Sequence, residues 1–359
     1  MEWILKKQLQ NICINRIKPL SFRQLRGFRQ LRGFFGIKKI LILKIDIIRF
    51  NFTKIYLERK SYVTSKNLNK SFGSKQVLFD INFKADNGKI LGLIGKNGSG
   101  KTTLFHSILK FVKYQGKITI NNHSFSSRDY NSVGYLPEER SLMPKLTVLE
   151  QVSFLASLKG MKKDVVKHDL QDWMQKLEVK GKITDKIKSL SKGNQQKIQL
   201  IATLIHQPNL IILDEPFSGL DPVNVEIIKD VILQEKRRGA TIIFSDHDMS
   251  NVEELCDDVV MINNGHLVLN GAVNEVRNNF GLTRLFIRTD LGLDEVKKLP
   301  GVEKAILQNN GIYKLWLMSA NYGRDIFKTL SHGEYLQTFD QEPPTLDEIF
   351  KLKAGENNE

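Results

Sequence analysis

At 359 residues the chain is long enough for two or three domains, and its 41% hydrophobic and 26% charged content is ordinary for a globular protein. Two cysteines, Cys13 and Cys256, far apart in sequence, argue for a reducing compartment and against a disulfide scaffold or a thiolate metal site. The net charge of +15 belongs to one end, since residues 1–60 hold 15 Lys/Arg against 3 Asp/Glu and the remainder 39 against 36, so basicity is no argument for nucleic acid.

At the amino end, no run reaches the roughly 18 apolar residues that span a bilayer. The nearest, residues 37–52, is broken by Lys44, Asp46 and Arg49, and no signal-peptide cleavage pattern follows it. FRQLRG occurs twice in tandem, at residues 22–27 and 28–33. It reads either as a basic amphipathic segment on anionic lipid or as a stretch outside the working protein, with translation starting near Tyr62. The intact mass of the native protein separates the two. Residues 1–62 are therefore set apart as a basic extension.

From residue 63 the pattern is regular. LGLIG, residues 91–95, is a short apolar run of the kind a buried parallel strand needs. GKNGSGKTT, residues 95–103, follows at once, and then the helical LFHSILKFV. A G-x-x-x-x-G-K-T run between strand and helix is a phosphate cradle. Gly95, Gly98 and Gly100 bring backbone N–H groups close to phosphate oxygens, with Lys96, Asn97 and Ser99 between them. Lys101 is placed to reach the β- and γ-phosphates, the Thr102 hydroxyl to ligate Mg²⁺, and Thr103 closes the nucleotide-binding run.

Residues 139–190 read as mostly helical, with Thr147 and Glu150 as a capping pair. LSKGNQQK, residues 190–197, opens another helix with Ser191 as N-cap and leads into the apolar run 198–205. LIILDEP, residues 210–216, is a buried strand ending in two carboxylates. Asp214 reads as a Mg²⁺ ligand and Glu215 as the general base for attacking water. IIFSDH, residues 242–247, puts His247 at the end of another strand, at the sheet edge where open α/β folds bind ligands. Asn264-Gly265 marks a tight hairpin. Residues 282–341 then read as strand, helix, strand, strand, helix, strand, a ferredoxin-like order, and Thr345 with Glu348 caps a last helix.

Together these residues resemble the ATP-binding subunit of an ABC transporter, over residues 64–275. GKNGSGKTT matches its Walker A loop, LIILDEP its Walker B strand, SGLD (ending in Asp221) its D-loop, SDH its switch histidine and LSKGNQQK its signature. The fold implied is α/β: a P-loop ABC ATPase core at 63–278 with a helical subdomain at about 139–190, then a small α+β, ferredoxin-like domain at 279–359. The resemblance implies ATP and Mg²⁺, with adenine stacked on Phe72 and Glu138 near the metal where many relatives have Gln. It implies that two ATPase subunits, alike or different, close head to tail. Ser191, Lys192, Gly193 and Asn194 of each then meet ATP held by the other. Integral membrane permease subunits are the implied partners, with Pro144, Leu146 and Val148 read either as groove candidates for them or equally as part of the chain's own core. The site implied is the cytoplasmic face of the membrane. Lys192, Asn194, Glu138 and Asp246 depart from the commoner residues. These variants and the PTLDEIF ending resemble ABC-2-type exporters of the sodium-efflux-like group. A soluble ABC ATPase acting on ribosomes or nucleic acid is the competing reading. One Walker A, one signature and no long heptad run speak against it, and no nucleic-acid partner is expected. The transported substrate is not legible here.

Overall fold

The computed structural model describes residues 61–353 apart from 140, 332 and 334. The tandem hexapeptide, Cys13 and all but the last two residues of the basic extension lie outside that range. The chain begins with β1 (Ser61–Phe72), β2 (Lys75–Asp86), β3 (Ile90–Ile94), α1 (Lys101–Ile108), β4 (Gln115–Ile120), β5 (His123–Ser124) and β6 (Val133–Leu136). The helical stretch holds α2 (Val148–Ser157), α3 (Lys163–Lys176) and α4 (Lys192–Leu204). Next come β7 (Leu210–Asp214), α5 (Pro222–Arg238), β8 (Thr241–Ser245), α6 (Met249–Leu255), β9 (Asp258–Asn263), β10 (His266–Ala272) and α7 (Val273–Asn278).

These strands form one ten-stranded sheet in the order β5-β4-β1-β2-β10-β9-β3-β8-β7-β6. From β9 to β6 all neighbours are parallel. The central strands β3, β7 and β8 are buried along their whole length, as a sheet covered on both faces requires. Alternation divides their side chains between two cores. Ile211, Leu213, Ile242 and Phe244 join the helical layer, while Leu210, Ile212 and Ile243 join the layer of α1 and the antiparallel strands. That parity decides the site: Asp214 and Ser245, next in line after Leu213 and Phe244, fall on the α1 face.

The turn between β9 and β10 is the expected one, with Asn264 at φ 48° and Gly265 at φ 78°. A methyl on Gly265 would lie 2.1 Å from the Val77 carbonyl oxygen, so only glycine fits there. The caps read from sequence are also present. Thr147 Oγ1 accepts from the Glu150 N–H, and Ser191 Oγ from the Asn194 N–H.

The carboxyl region follows as β11 (Arg284–Ile287), α8 (Leu293–Val296), β12 (Val302–Leu307), β13 (Tyr313–Leu317), α9 (Tyr322–Ser331) and β14 (Phe339–Glu342), then α10 (Leu346–Lys353). Its sheet order, β12-β13-β11-β14 with every pair antiparallel, is the ferredoxin-like one. Leu285, Ile287, Leu315, Leu317 and Ile326 make its own small core. The last strand starts later than its sequence suggests, because pairing with β11 begins only at Phe339. Helix α10 leaves this unit and sinks Leu346 and Ile349 into the helical-layer core of the first. Among the described residues no helix is long and apolar enough to cross a membrane.

Candidate functional site: a nucleotide cradle at the sheet edge

The loop from Gly95 to Gly100 joins β3 to α1. A Cβ on Gly95 would sit 2.4 Å from the Ile262 carbonyl oxygen and 2.5 Å from Ser99 Oγ. Gly100, the N-cap of α1, has φ 112°, and a Cβ there would lie 2.7 Å from Leu78. At these two positions the backbone is packed too closely for any side chain. Lys101 is buried, and its ammonium donates to the Gly95 carbonyl at 2.8 Å. Ser99 Oγ is buried with no hydrogen-bond partner. Lys96 and Asn97 are exposed around the rim, and Thr103 is half-buried. Gly95→Ala is expected to abolish ATP binding and to cost about 1–3 kcal/mol of stability from overpacking. Fluorescent-nucleotide titration beside a thermal melt checks both; unchanged affinity would contradict the cradle.

Thr102 Oγ1 donates to Asp214 Oδ2 at 2.9 Å, and Ser245 Oγ donates to Asp214 Oδ1 at 2.5 Å. Ser245 also accepts from the Glu215 N–H at 3.0 Å, so one hydroxyl ties two neighbouring strand ends. Sequence reading missed this serine. The signal was present, because Ser245 pairs in register with Asp214 at the carboxyl end of the adjacent parallel strand.

Asp214 and Glu215 diverge for a backbone reason rather than by strand alternation. β7 has ended, and Glu215 takes a left-handed backbone at φ 52°, which for a non-glycine residue costs of order 1–3 kcal/mol. That turn keeps the buried carboxylate in the cleft, 4.0 Å from the Lys101 ammonium. His247 Nδ1 meets Glu215 Oε2 at 2.7 Å, and Asp246 Oδ1 lies 3.6 Å from the same nitrogen. The hydrogen bond to Glu215 is the largest cause holding the His247 pKa above the ordinary imidazole value; the Glu215, Asp246 and Asp248 charges add to it. A raised pKa means the ion pair stabilises the fold fully below the ordinary value, about 6.5, and is lost as pH rises through the raised one. The melting-temperature advantage of wild type over His247→Gln is therefore expected to shrink as pH rises from about 6 to about 9. The exposed imidazole keeps the effect small, and a widening gap would refute the pairing.

Glu138 follows β6 at the same edge, exposed beside the end of β7. Phe72 ends β1 with its ring 50% exposed and the Lys70 ammonium 4.1 Å from its centroid. This is an open platform, as base stacking needs.

The polar run opening α4 divides in two. Ser191 and Lys192 are exposed and Gly193 is half-buried, with Asn224 and Leu220 side chains 3.6 Å from where its Cβ would be. Asn194 turns inward instead. Its amide donates to Ser191 Oγ at 3.1 Å and its oxygen accepts from the Lys180 N–H at 3.1 Å. Gln196 donates to the Pro216 carbonyl at 3.3 Å, and Gln199 to the Pro137 and Glu139 carbonyls at 3.4 and 3.3 Å. The signature helix thus grips both loops that carry the acids, Glu138 and Glu215. Three residues apart, these glutamines share one helix face, a signal the sequence reading passed over. Asp221 caps α5, accepting from the Asn224 N–H at 3.0 Å, beside the tip of α4.

A glycine cradle with a buried lysine, and acids ending the next parallel strands, is the arrangement of a P-loop nucleoside triphosphatase. Residues 78–218 match the ABC transporter family, and residues 271–354 match the C-terminal domain of DrrA1-3-like ATP-binding proteins. The chain is 36% identical over 294 residues to an ABC transporter ATP-binding protein of Bacillus subtilis, YhaQ, covering 82% of this chain and 98% of that one. It is 30% identical over 237 residues to the lipopolysaccharide export system ATP-binding protein LptB of Haemophilus influenzae, covering 63% and 97%. A solved ATP-binding subunit of an ABC transporter superposes with a TM-score of 0.58 at 28% identity, covering 66% of this chain and 98% of that one. The chain belongs to the ABC transporter ATP-binding subunits. It binds and hydrolyses ATP as part of a transport system.

Proposed function

We propose that this chain is the motor of an exporter of the ABC-2 type. Two ATPase subunits close head to tail on ATP at the cytoplasmic face of the membrane and move integral permease subunits bound to them. The observation that carries the proposal is the tip of α4. The first N–H groups of a helix have no intrahelical acceptor and carry partial positive charge. Here Ser191 and Lys192 hold that end open to solvent beside Asp221, while the polar residues behind them are tied inward. An open donor tip suits an anion brought by another molecule, the γ-phosphate in a facing subunit. Export is supported by the named role of LptB and by the likeness of the signature and carboxyl end to ABC-2 exporters.

Within one subunit, Lys101 and the loop N–H groups bind the ATP phosphates and Phe72 carries adenine. The residues fit Mg²⁺, since Thr102 and Asp214 offer a hydroxyl and a carboxylate oxygen, the hard donors this ion takes; Glu138 stands at the neighbouring strand end. Bound Mg²⁺ supplies neutralisation of the β- and γ-phosphate charge. Glu215 takes a proton from the attacking water, and His247 holds that carboxylate in place through Nδ1.

Phe72→Ala is expected to weaken ATP binding by about 1–3 kcal/mol, the worth of one base–aromatic stack, with hydrolysis at saturating ATP little changed. For the transport assignment, the full chain is purified from detergent-solubilised membranes. Recovery with an integral membrane protein supports it, and recovery with ribosomes or DNA alone overturns it.

A further inference from the structure

We propose that the C-terminal helix α10 is a positioning element for His247, acting through α6. This rests on the role given to His247 above. Helix α6 starts two residues after His247, with Asp248 between them as its N-cap. Its Asn251 amide donates to Asp246 Oδ2 at 2.8 Å, and Asp246 Oδ1 accepts from the Asp248 N–H at 3.0 Å. The backbone on both sides of the histidine is therefore fixed to α6. At seven residues α6 is far too short to hold its own shape or place, so its packing partners decide where it sits.

Helix α10 is one of those partners. Leu346 and Ile349 are 1% exposed, within the core that holds Val252 and Leu255 of α6 and Val273 and Val276 of α7. The Leu346 N–H donates to the Glu253 carboxylate of α6. Glu253 also meets Arg277 at 3.4 Å, and Arg277 Nε donates to the Pro344 carbonyl at 3.0 Å. Chain on both sides of Thr345 is thus pinned to α6 and α7.

The opposite side of α10 belongs to the ferredoxin-like sheet. Glu348 accepts from Lys314 Nζ at 3.0 Å and Trp316 Nε1 at 3.1 Å, and lies 3.4 Å from the buried Arg284 guanidinium. Burial opposes ionisation of Glu348. The Thr345 N–H with the Lys314 and Arg284 charges more than offsets it and holds the carboxyl below its ordinary pKa. One helix therefore joins the accessory sheet to the segment that orients the switch histidine. Displacing α10 displaces His247, while the cradle loop and Lys101 are also held by contacts that α6 does not make, Gly95 against the Ile262 carbonyl and Gly100 against Leu78.

The test is a double-mutant cycle on the full chain, with His247→Ala as background. Ile349→Ala alone is expected to lower kcat about 10- to 100-fold, the scale of a misplaced catalytic group, with ATP affinity unchanged. Added to His247→Ala it is expected to lower the residual rate no further. Glu253→Ala, which opens no core cavity, should behave likewise, and Glu253→Gln should recover most of the rate. An equal fall in both backgrounds, or a fall in ATP affinity to match kcat, overturns the proposal. If His247→Ala itself leaves kcat intact, the assigned role of His247 fails, and this inference with it.

Discussion

Replacing Glu215 with Gln is expected to lower ATP hydrolysis by about 10²- to 10⁴-fold, the usual contribution of a positioned general base. The amide keeps the shape and keeps an oxygen for His247, 2.7 Å away in the native pair. It cannot take a proton from water. On the proposed reading ATP binding rests on Lys101, the glycine loop and Phe72, and of these only Lys101 lies beside the changed side chain. Binding without hydrolysis should trap the closed state, so light scattering with ATP should show a stable dimer and phosphate release should nearly stop. Removing a negative charge 4.0 Å from the Lys101 ammonium leaves that cation freer for phosphate, so affinity should hold or rise. A variant that turns over at the wild-type rate removes Glu215 from the role.

The second large effect belongs to Ser191→Arg. Loss of the cap costs about 1 kcal/mol of helix stability, too little to unfold a domain of ordinary stability. The bulk of arginine at the open tip of α4 should prevent closure on a facing phosphate, and hydrolysis should fall by at least the 10²- to 10³-fold typical of one lost charge-stabilising contact. The isolated subunit should bind ATP with unchanged affinity, because on the proposed head-to-tail geometry the damage lies in its neighbour's site. Mixing the two inactive variants sharpens the claim. A dimer of Ser191→Arg with Glu215→Gln has one site with both an intact glutamate and an intact facing serine. Recovered hydrolysis in the mixture is expected if sites are shared between copies; a mixture as inactive as its parts argues that each chain works alone or with a different chain.

The phosphate cradle was legible because its chemistry is local. Gly95, Gly100, Lys101 and Thr102 belong to one short run, residues 95–102, and the backbone conformation they need is written in residue type. The ferredoxin-like fold at the carboxyl end was legible from the order of its strands and helices along the chain. Helix caps at Thr147, Ser191 and Thr345 follow a three-residue rule that needs no distant partner. Ser245, Gln196 and Gln199 escaped notice because their partners lie 31, 20 and about 60 residues away. Nothing in the flanking residues tells a hydroxyl or an amide which distant strand end it will meet.

Asn194 and α10 make the same point more strongly. In sequence Asn194 is one more donor in an exposed run, yet its amide is consumed by Ser191 and Lys180. TLDEIF reads as the tail of an appendage, yet its leucine and isoleucine complete the core of the ATPase. Residue order alone specifies which groups could grip phosphate, which strands would be buried and where helices begin, since these depend on neighbours within a few residues. Contacts between distant segments set which carboxylate faces His247, which half of the signature stays open and which helix packs against α6. Those outcomes depend on strand order and parity across the sheet, and short-range residue preferences do not encode them.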